Sequence, residues 1–188
     1  MRKLVLAVSM IAVVLSVAVS CSSDEESTWE KYTDWRETNE QWLRELASMT
    51  NDDGTPYYQM YVPSWNKASY VLIHYFNDRS ATEGNLSPLS TSSVDVRYVG
   101  HLCTGERFDS TTTLQTSYGY GIARFVLSNT IPGWVAALPQ MRVGDTAQIV
   151  CPYAMAYGAQ EKEVIKPYSA LSFNLRLVDV HTYEATPY

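Results

Sequence analysis

The sequence predicts an α+β fold: an antiparallel β-sheet wrapped around one short α-helix, with an amphipathic helix ahead of it toward the N-terminus. Three observations predict it. Apolar and polar residues alternate with period two over residues 94–99, 147–150 and 170–180, the mark of half-buried strands. Between these, Trp134, Val135, Leu138 and Met141 form a short apolar stripe at helical spacing, opened by the turn residues Pro132 and Gly133. Further upstream, Ser27-Thr28-Trp29-Glu30 fits a capping box. Trp29, Tyr32, Arg36, Asn39, Leu43 and Leu46 then lie on one helical line, with Trp35 and Trp42 beside it.

Taken in order, residues 1–20 read as a signal peptide and not as fold. Arg2 and Lys3 precede an uncharged apolar run, 4–19, and the small residues Ala18-Val19-Ser20 stand directly before Cys21. A cysteine at that place resembles a bacterial lipobox, so Cys21 is the expected lipidation site, tethering the chain to a membrane. An ordinary signal peptide or a single membrane anchor are the other uses of such a run. The acidic Asp24-Glu25-Glu26 resembles an export signal of surface lipoproteins in some Gram-negative bacteria, which points to a cell-envelope lipoprotein of the outer membrane. Residues 21–67 are then a lipidated linker carrying the amphipathic helix, 28–48, which Asn51-Asp52-Asp53-Gly54 ends. That helix is expected to pack on the domain behind it. A homodimer, or binding of another partner, through its exposed tryptophan face is the second use.

The domain proper is expected over residues 68–181. A short aromatic strand, 57–62, precedes it, and the run 68–76 (ASYVLIHYF) is its first strand. A polar loop, 77–93, leads to the strand at 94–99, which the turn residues Thr104-Gly105 separate from the next segment. Residues 111–121, rich in Thr, Ser and Gly, read as a loop ahead of a strand at 124–127. The short helix at Trp134, a strand from Ala147 and a closing strand at 170–180 complete the chain.

The 188 residues leave room for one principal domain with a full core. A net charge of −6 gives no electrostatic footprint for nucleic acid, so no nucleic-acid partner is expected. His74, His101 and His181 lie far apart, and none stands at ligand spacing with a cysteine or carboxylate pair, so neither a metal site nor a cofactor is expected. Cys103 and Cys151 are able to pair outside the cytoplasm, and their spacing leaves that open.

Several motifs in one order now carry a resemblance. Val96-Arg97-Tyr98-Val99-Gly100-His101-Leu102 is followed by Thr104-Gly105-Glu106-Arg107-Phe108-Asp109-Ser110, then by Ile131-Pro132-Gly133-Trp134, by Val143-Gly144-Asp145 and by Ala156-Tyr157-Gly158-Ala159. This series resembles the FKBP-type peptidyl-prolyl cis-trans isomerases. A rival start, Ile73-His74-Tyr75, lacks the Phe-Asp-Ser sequel. The resemblance implies a catalytic pocket of Tyr98, Phe108, Asp109, Trp134, Tyr157 and Phe173, with Trp134 as the floor. It implies substrate-binding roles for the Phe125 wall, the Ile131 backbone donor and an apolar far wall of Val164 and Ile165. Departures cluster in the rim. Two residues are missing between Leu127 and Ile131, Ala123 stands where an aromatic is common, and the tip Gln160-Glu161-Lys162-Glu163 is shorter and charged. Lys166 replaces a proline, and Pro139 sits in the short helix, where it removes a donor.

The implied chemistry needs no nucleophile. Rotation about an X-Pro bond faces a barrier of about 18–20 kcal/mol. The twisted amide has lost resonance and is less dipolar, so an apolar, water-poor pocket favours it over the planar ground state. The expected function is isomerisation of X-Pro bonds in exported proteins during folding. The expected partners are proline-containing polypeptide segments, macrolide-type inhibitors and, through the lipid, a membrane. The alternatives are a chaperone-like binding module that isomerises poorly and a surface lipoprotein in which the domain is only a scaffold.

Overall fold

The computed structural model describes residues 27–181; residues 1–20, expected as a signal peptide, Cys21 and the acidic run after it lie outside the described residues. Ser27 and Glu30 close the capping box reciprocally, with Glu30 N–H donating to Ser27 Oγ and Ser27 N–H donating to the Glu30 carboxylate at 3.1 Å. The one helix expected over 28–48 is two, α1 (Thr28–Lys31) and α2 (Thr33–Ser48). They meet at Tyr32, whose φ of −107° and ψ of 24° lie outside the helical well. Side chains satisfy the carbonyls that this break frees: Thr33 Oγ1 donates to Glu30 O at 2.8 Å and Arg36 Nε to Trp29 O at 3.3 Å.

Nine strands and one further α-helix complete the described residues: β1 (Gln59–Tyr61), β2 (Val71–Tyr75), β3 (Ser93–Leu102), β4 (Arg107–Ser110), β5 (Gln115–Thr116), β6 (Gly119–Tyr120), β7 (Ala123–Val126), α3 (Pro132–Ala137), β8 (Thr146–Cys151) and β9 (Leu171–His181). Seven of them form one antiparallel sheet in the order β1-β2-β8-β9-β3-β4, in which β7 pairs with the first half of β3 and β4 with the second. The stretch 111–121, expected as plain loop, carries the β5–β6 hairpin. The loop at 77–93 carries a 3-10 turn, Arg79–Thr82, capped by the Asp78 carboxylate.

The inner face of the sheet holds the core. Ile73, Ile149, Leu175 and Leu177 pack there with Ala137, Leu138 and Met141 of the short-helix region. Gly133 permits the close approach of α3 to β8, because a Cβ there would stand 2.2 Å from Cys151 Sγ and 2.9 Å from Met155 O. Pro139 falls in the 3-10 turn Leu138–Gln140 that continues α3, where a missing N–H removes no bond from α3 itself. Cys103 and Cys151 are free thiols, and Cys151 is fully buried under α3.

Period two places Leu72 and Val150 on the reverse face, and Leu43 of α2 covers them together with Tyr58 and Ala170. Burying a side chain such as Leu43 contributes about 1.5–3 kcal/mol. Two polar anchors fix the register of the helix: Ala170 N–H donates to Asn39 Oδ1 at 2.8 Å, and Trp35 Nε1 donates to Ser169 Oγ at 2.9 Å. The tryptophan face of α2 therefore lies against its own domain. Trp29 in α1 stays 45% exposed, under the Arg36 guanidinium at 3.4 Å.

Candidate active site

Four rings from four different elements meet on the inner face: Tyr98 of β3, Phe125 of β7, Trp134 of α3 and Phe173 of β9. The centroid of Trp134 lies 5.1 Å from that of Tyr98, 5.2 Å from Phe173 and 5.5 Å from Phe125, with the planes 77–89° apart. Phe108 joins through Phe173 at 5.6 Å and 88°. Edge-to-face pairs of this kind each contribute about 0.5–1.5 kcal/mol beyond their buried area. Local sequence explains two placements. Pro132 sits at the start of α3, where its fixed φ is ready-made, and this sets Trp134 in the first turn. Gly100 lets Phe108 fold over β3, since a Cβ there would lie 2.6 Å from the Phe108 ring, and the β3–β4 register skips a residue at that point.

These rings line a cavity of about 410 Å³ that also takes in Asp109, Ile131 and Tyr157. Eight of the ten pocket residues expected from the sequence thus share one cavity. Val164 and Ile165, expected in its far wall, do not line it. Lys162 and Ile165 bond to each other through their backbones at 2.6 and 3.0 Å, a tight turn in which Glu163 takes a φ of 46°. That turn leaves Val164 52% exposed and sends Ile165 into the core. The two residues line an adjoining cavity of about 450 Å³, which shares Phe108, Asp109 and Tyr157 with the first.

Asn129, Thr130, Pro132, Ala156 and Gln160 complete the wall of the first cavity, and the sequence did not single them out for it. Pro132 and Ala156 belong to the motifs themselves, and Asn129, Thr130 and Gln160 stand one or two residues from one. The two-residue deletion before Ile131 resolves as a 3-10 turn, Leu127–Asn129, closed by Thr130 Oγ1 donating to Leu127 O at 2.7 Å.

Tyr98 Oη donates to Asp109 Oδ2, and Ser110 N–H donates to Asp109 Oδ1 at 2.7 Å. Burial first, then that hydrogen bond and the charge of Asp109, push the Tyr98 phenol above its ordinary value, so it stays a donor at neutral pH. Burial and the Asp109 charge push Tyr157 in the same direction. Among the described residues, the Tyr157 hydroxyl and the Ile131 N–H have no hydrogen-bond partner, and the buried Trp134 Nε1 has none either.

A separate polar cluster brings Asp95, Asp179 and His181 within 4.8 Å of one another, against the expectation of no such grouping. Asp95 and His181 are distant in sequence, and the pairing of β3 with β9 unites them. A cation already sits there. Arg124 grips Asp95 through Nε at 2.6 Å and Nη2 at 2.8 Å, with Nη2 also 2.8 Å from His181 Nε2. Burial raises the Asp95 pKa, but the bonds and charges of Arg124 and His181 outweigh it and hold the carboxyl below its usual range. The guanidinium does there what a metal ion would do.

The family model for FKBP-type peptidyl-prolyl cis-trans isomerase matches residues 84–178, just over half of the chain. A Xenopus laevis relative, the peptidyl-prolyl cis-trans isomerase FKBP1A, is 33% identical over 97 residues, which covers 51% of this chain and 87% of the relative. The FK506-binding protein 3 of Yarrowia lipolytica is 34% identical over 103 residues, 55% of this chain but only 24% of that longer protein. Among solved structures, FkpA from Escherichia coli superposes with a TM-score of 0.66 at 22% identity, over 84% of this chain and 64% of that one, a likeness of fold. The chain belongs to the FKBP-type peptidyl-prolyl cis-trans isomerase family.

Proposed function

We propose that this domain isomerises X-Pro bonds in the cavity over Trp134. The observation that carries the proposal is the nest of near-perpendicular rings around Trp134, held by four separate elements. A proline ring fits on an apolar floor of this kind, and a less dipolar twisted amide is favoured there over the planar form. The partnerless Ile131 N–H and Tyr157 hydroxyl are suited to hold substrate carbonyls on either side of the proline. Asp109 accepts from Tyr98 and from the Ser110 N–H, so its part is to orient Tyr98. The unpaired indole N–H supports a binding role for Trp134, because a ring that served packing alone gains nothing from a buried donor without a partner. The Yarrowia relative is named for binding FK506, and a macrolide-type inhibitor would take the same cavity.

A protease-coupled assay with a proline tetrapeptide tests the reading, with acceleration over the uncatalysed rate expected. The second reading, a binding module that isomerises poorly, draws on the rim, where a charged turn leaves Val164 outside the cavity. It expects tetrapeptide binding without acceleration.

The sequence ahead of the domain suggests the cellular role. The apolar run 4–19 and Cys21 support a lipid-anchored protein of the cell envelope, in the outer membrane, that acts on exported polypeptides as they fold. Among the described residues no helix is long and apolar enough to cross a membrane. Cys21→Ser is expected to release the protein from the membrane fraction, and retention there would contradict the lipid anchor.

A further inference from the structure

The outer face of the sheet has two halves. Helix α2 covers one end, over Leu72 and Val150. The other end carries an open groove of about 390 Å³ lined by side chains including Phe76, Arg97, Tyr120, Thr146, Asn174 and Arg176, with no acidic residue in its wall. Arg97 of β3 and Arg176 of β9 stand directly opposite each other in the strand register, and both are exposed. Like charges directly opposite on neighbouring strands destabilise a sheet. Neither guanidinium has an ion pair among the described residues. The acids farther along the two strands are engaged: Asp95 accepts Arg124 through both oxygens and lies 3.1 Å from His181, and Asp179, opposite it in the register, lies 3.6 Å from His181. Two aromatic side chains flank the pair, Phe76 at 53% and Tyr120 at 62% exposure.

We propose that this groove binds an acidic, aromatic-containing polypeptide segment, whose carboxylates bridge Arg97 and Arg176 while its apolar side chains lie on Phe76 and Tyr120. Charge complementarity selects the occupant. A chain with net charge −6 sets two arginines without ion pairs opposite each other in the strand register, and an anion bound between them offsets their repulsion. Phe76 and Tyr120 favour a polypeptide over a bare inorganic anion, because they add apolar area on both sides of the charge. Tyr98 borders both cavities, but Arg97 and Arg176 stand on the face of β3 and β9 opposite to the one that carries the Tyr98 ring, so an occupant held by them does not fill the proline cavity.

The test uses the full chain and the fluorescent peptide Glu-Tyr-Glu-Asp-Tyr-Glu, capped at both ends and free of proline, with anisotropy as the readout. Loss of each guanidinium is expected to weaken binding about tenfold. Arg97→Thr with Arg176→Thr is therefore expected to abolish measurable binding while leaving tetrapeptide isomerisation unchanged. The same double variant is expected to melt at a higher temperature than the parent without peptide, because the like-charge pair is gone. Equal peptide affinity of parent and double variant overturns the proposal. So does equal affinity for the charge-reversed peptide Lys-Tyr-Lys-Lys-Tyr-Lys. Binding of phosphatidylglycerol vesicles through the two arginines, with no affinity for the acidic peptide, overturns it in favour of a lipid headgroup contact.

Discussion

The floor of the cavity and its rim are built in opposite ways. Each ring of the floor is fixed by several others: Trp134 alone touches Tyr98, Phe125 and Phe173, and Gly100 and Gly133 are the small residues that let neighbours approach. The rim beyond Tyr157 is one backbone turn, 162–165, with exposed charged residues at its tip. Sequence change is tolerated where few neighbours depend on a side chain. Under the proposed function a floor residue would answer to fold and chemistry at once, while a rim residue would answer mainly to the peptide it meets.

That contrast breaks if floor substitutions are mild. Trp134→Ala is expected to lose about 3–5 kcal/mol of stability in chemical denaturation, because a large ring leaves a cavity that several elements frame. Its isomerisation is expected to fall roughly tenfold or more. Trp134→Phe keeps a ring and is expected to fold well with an intermediate rate, which separates loss of the floor from loss of the fold. Gly133→Ala comes next. Its Cβ must displace Cys151 Sγ and the Met155 carbonyl, at an expected cost of about 1–3 kcal/mol. Adding Cys151→Ala is expected to return only part of this, since the backbone carbonyl remains in the way.

The frame behind the floor has a pH signature. Asp145 is fully buried and accepts from Thr82 Oγ1 at 2.6 Å, Asn77 Nδ2 at 3.1 Å and Arg142 N–H at 2.9 Å, with Arg79 Nε 3.3 Å away. Burial raises its pKa, and these bonds and the Arg79 charge more than reverse that, so the folded value lies below the ordinary carboxyl value of 3.8. A depressed folded pKa contributes stability above the unfolded value, and that contribution is lost as pH falls through the folded one. Asp145→Asn is therefore expected to be less stable than the parent at neutral pH and to converge with it in acid. A constant difference between pH 7 and strongly acidic conditions would contradict this. The smallest effect belongs to the rim. Glu163→Gly relieves the positive φ of 46°, with an expected gain of about 1 kcal/mol or less, and leaves tetrapeptide turnover unchanged. A rim change as damaging as Trp134→Ala would erase the distinction.

Tyr98, Phe108 and Trp134 of the floor were legible in the sequence because they sit in short, contiguous motifs, whereas Phe125 and Phe173 lie outside them and came only from the resemblance. Tyr98, Gly100, Phe108 and Asp109 occupy one strand-turn-strand unit, and Trp134 heads its own helix. The strands were legible wherever one face is apolar, and β9 reads so almost to its end. The features that stayed hidden depend on long-range pairing or on local turns. Alternation marks Asp95 as solvent-facing, yet it is buried, because Arg124 of β7 and His181 of β9 arrive beside it only when the sheet forms. Val164 reads as an apolar wall, but a four-residue turn decides its direction, and that turn rests on the conformation of Glu163. The break at Tyr32 was invisible because the periodicity runs through it, and the side chains of Thr33 and Arg36 satisfy the carbonyls it frees.

The proposed function requires that the ring floor, with its altered rim, isomerises X-Pro bonds. The most direct measurement is the protease-coupled tetrapeptide assay on the parent chain, with circular dichroism on the same sample to establish that it is folded. The expected result is an exchange rate that rises in proportion to protein concentration above the uncatalysed background. A folded protein that leaves the background rate unchanged would contradict the claim and make the cavity a binding site alone.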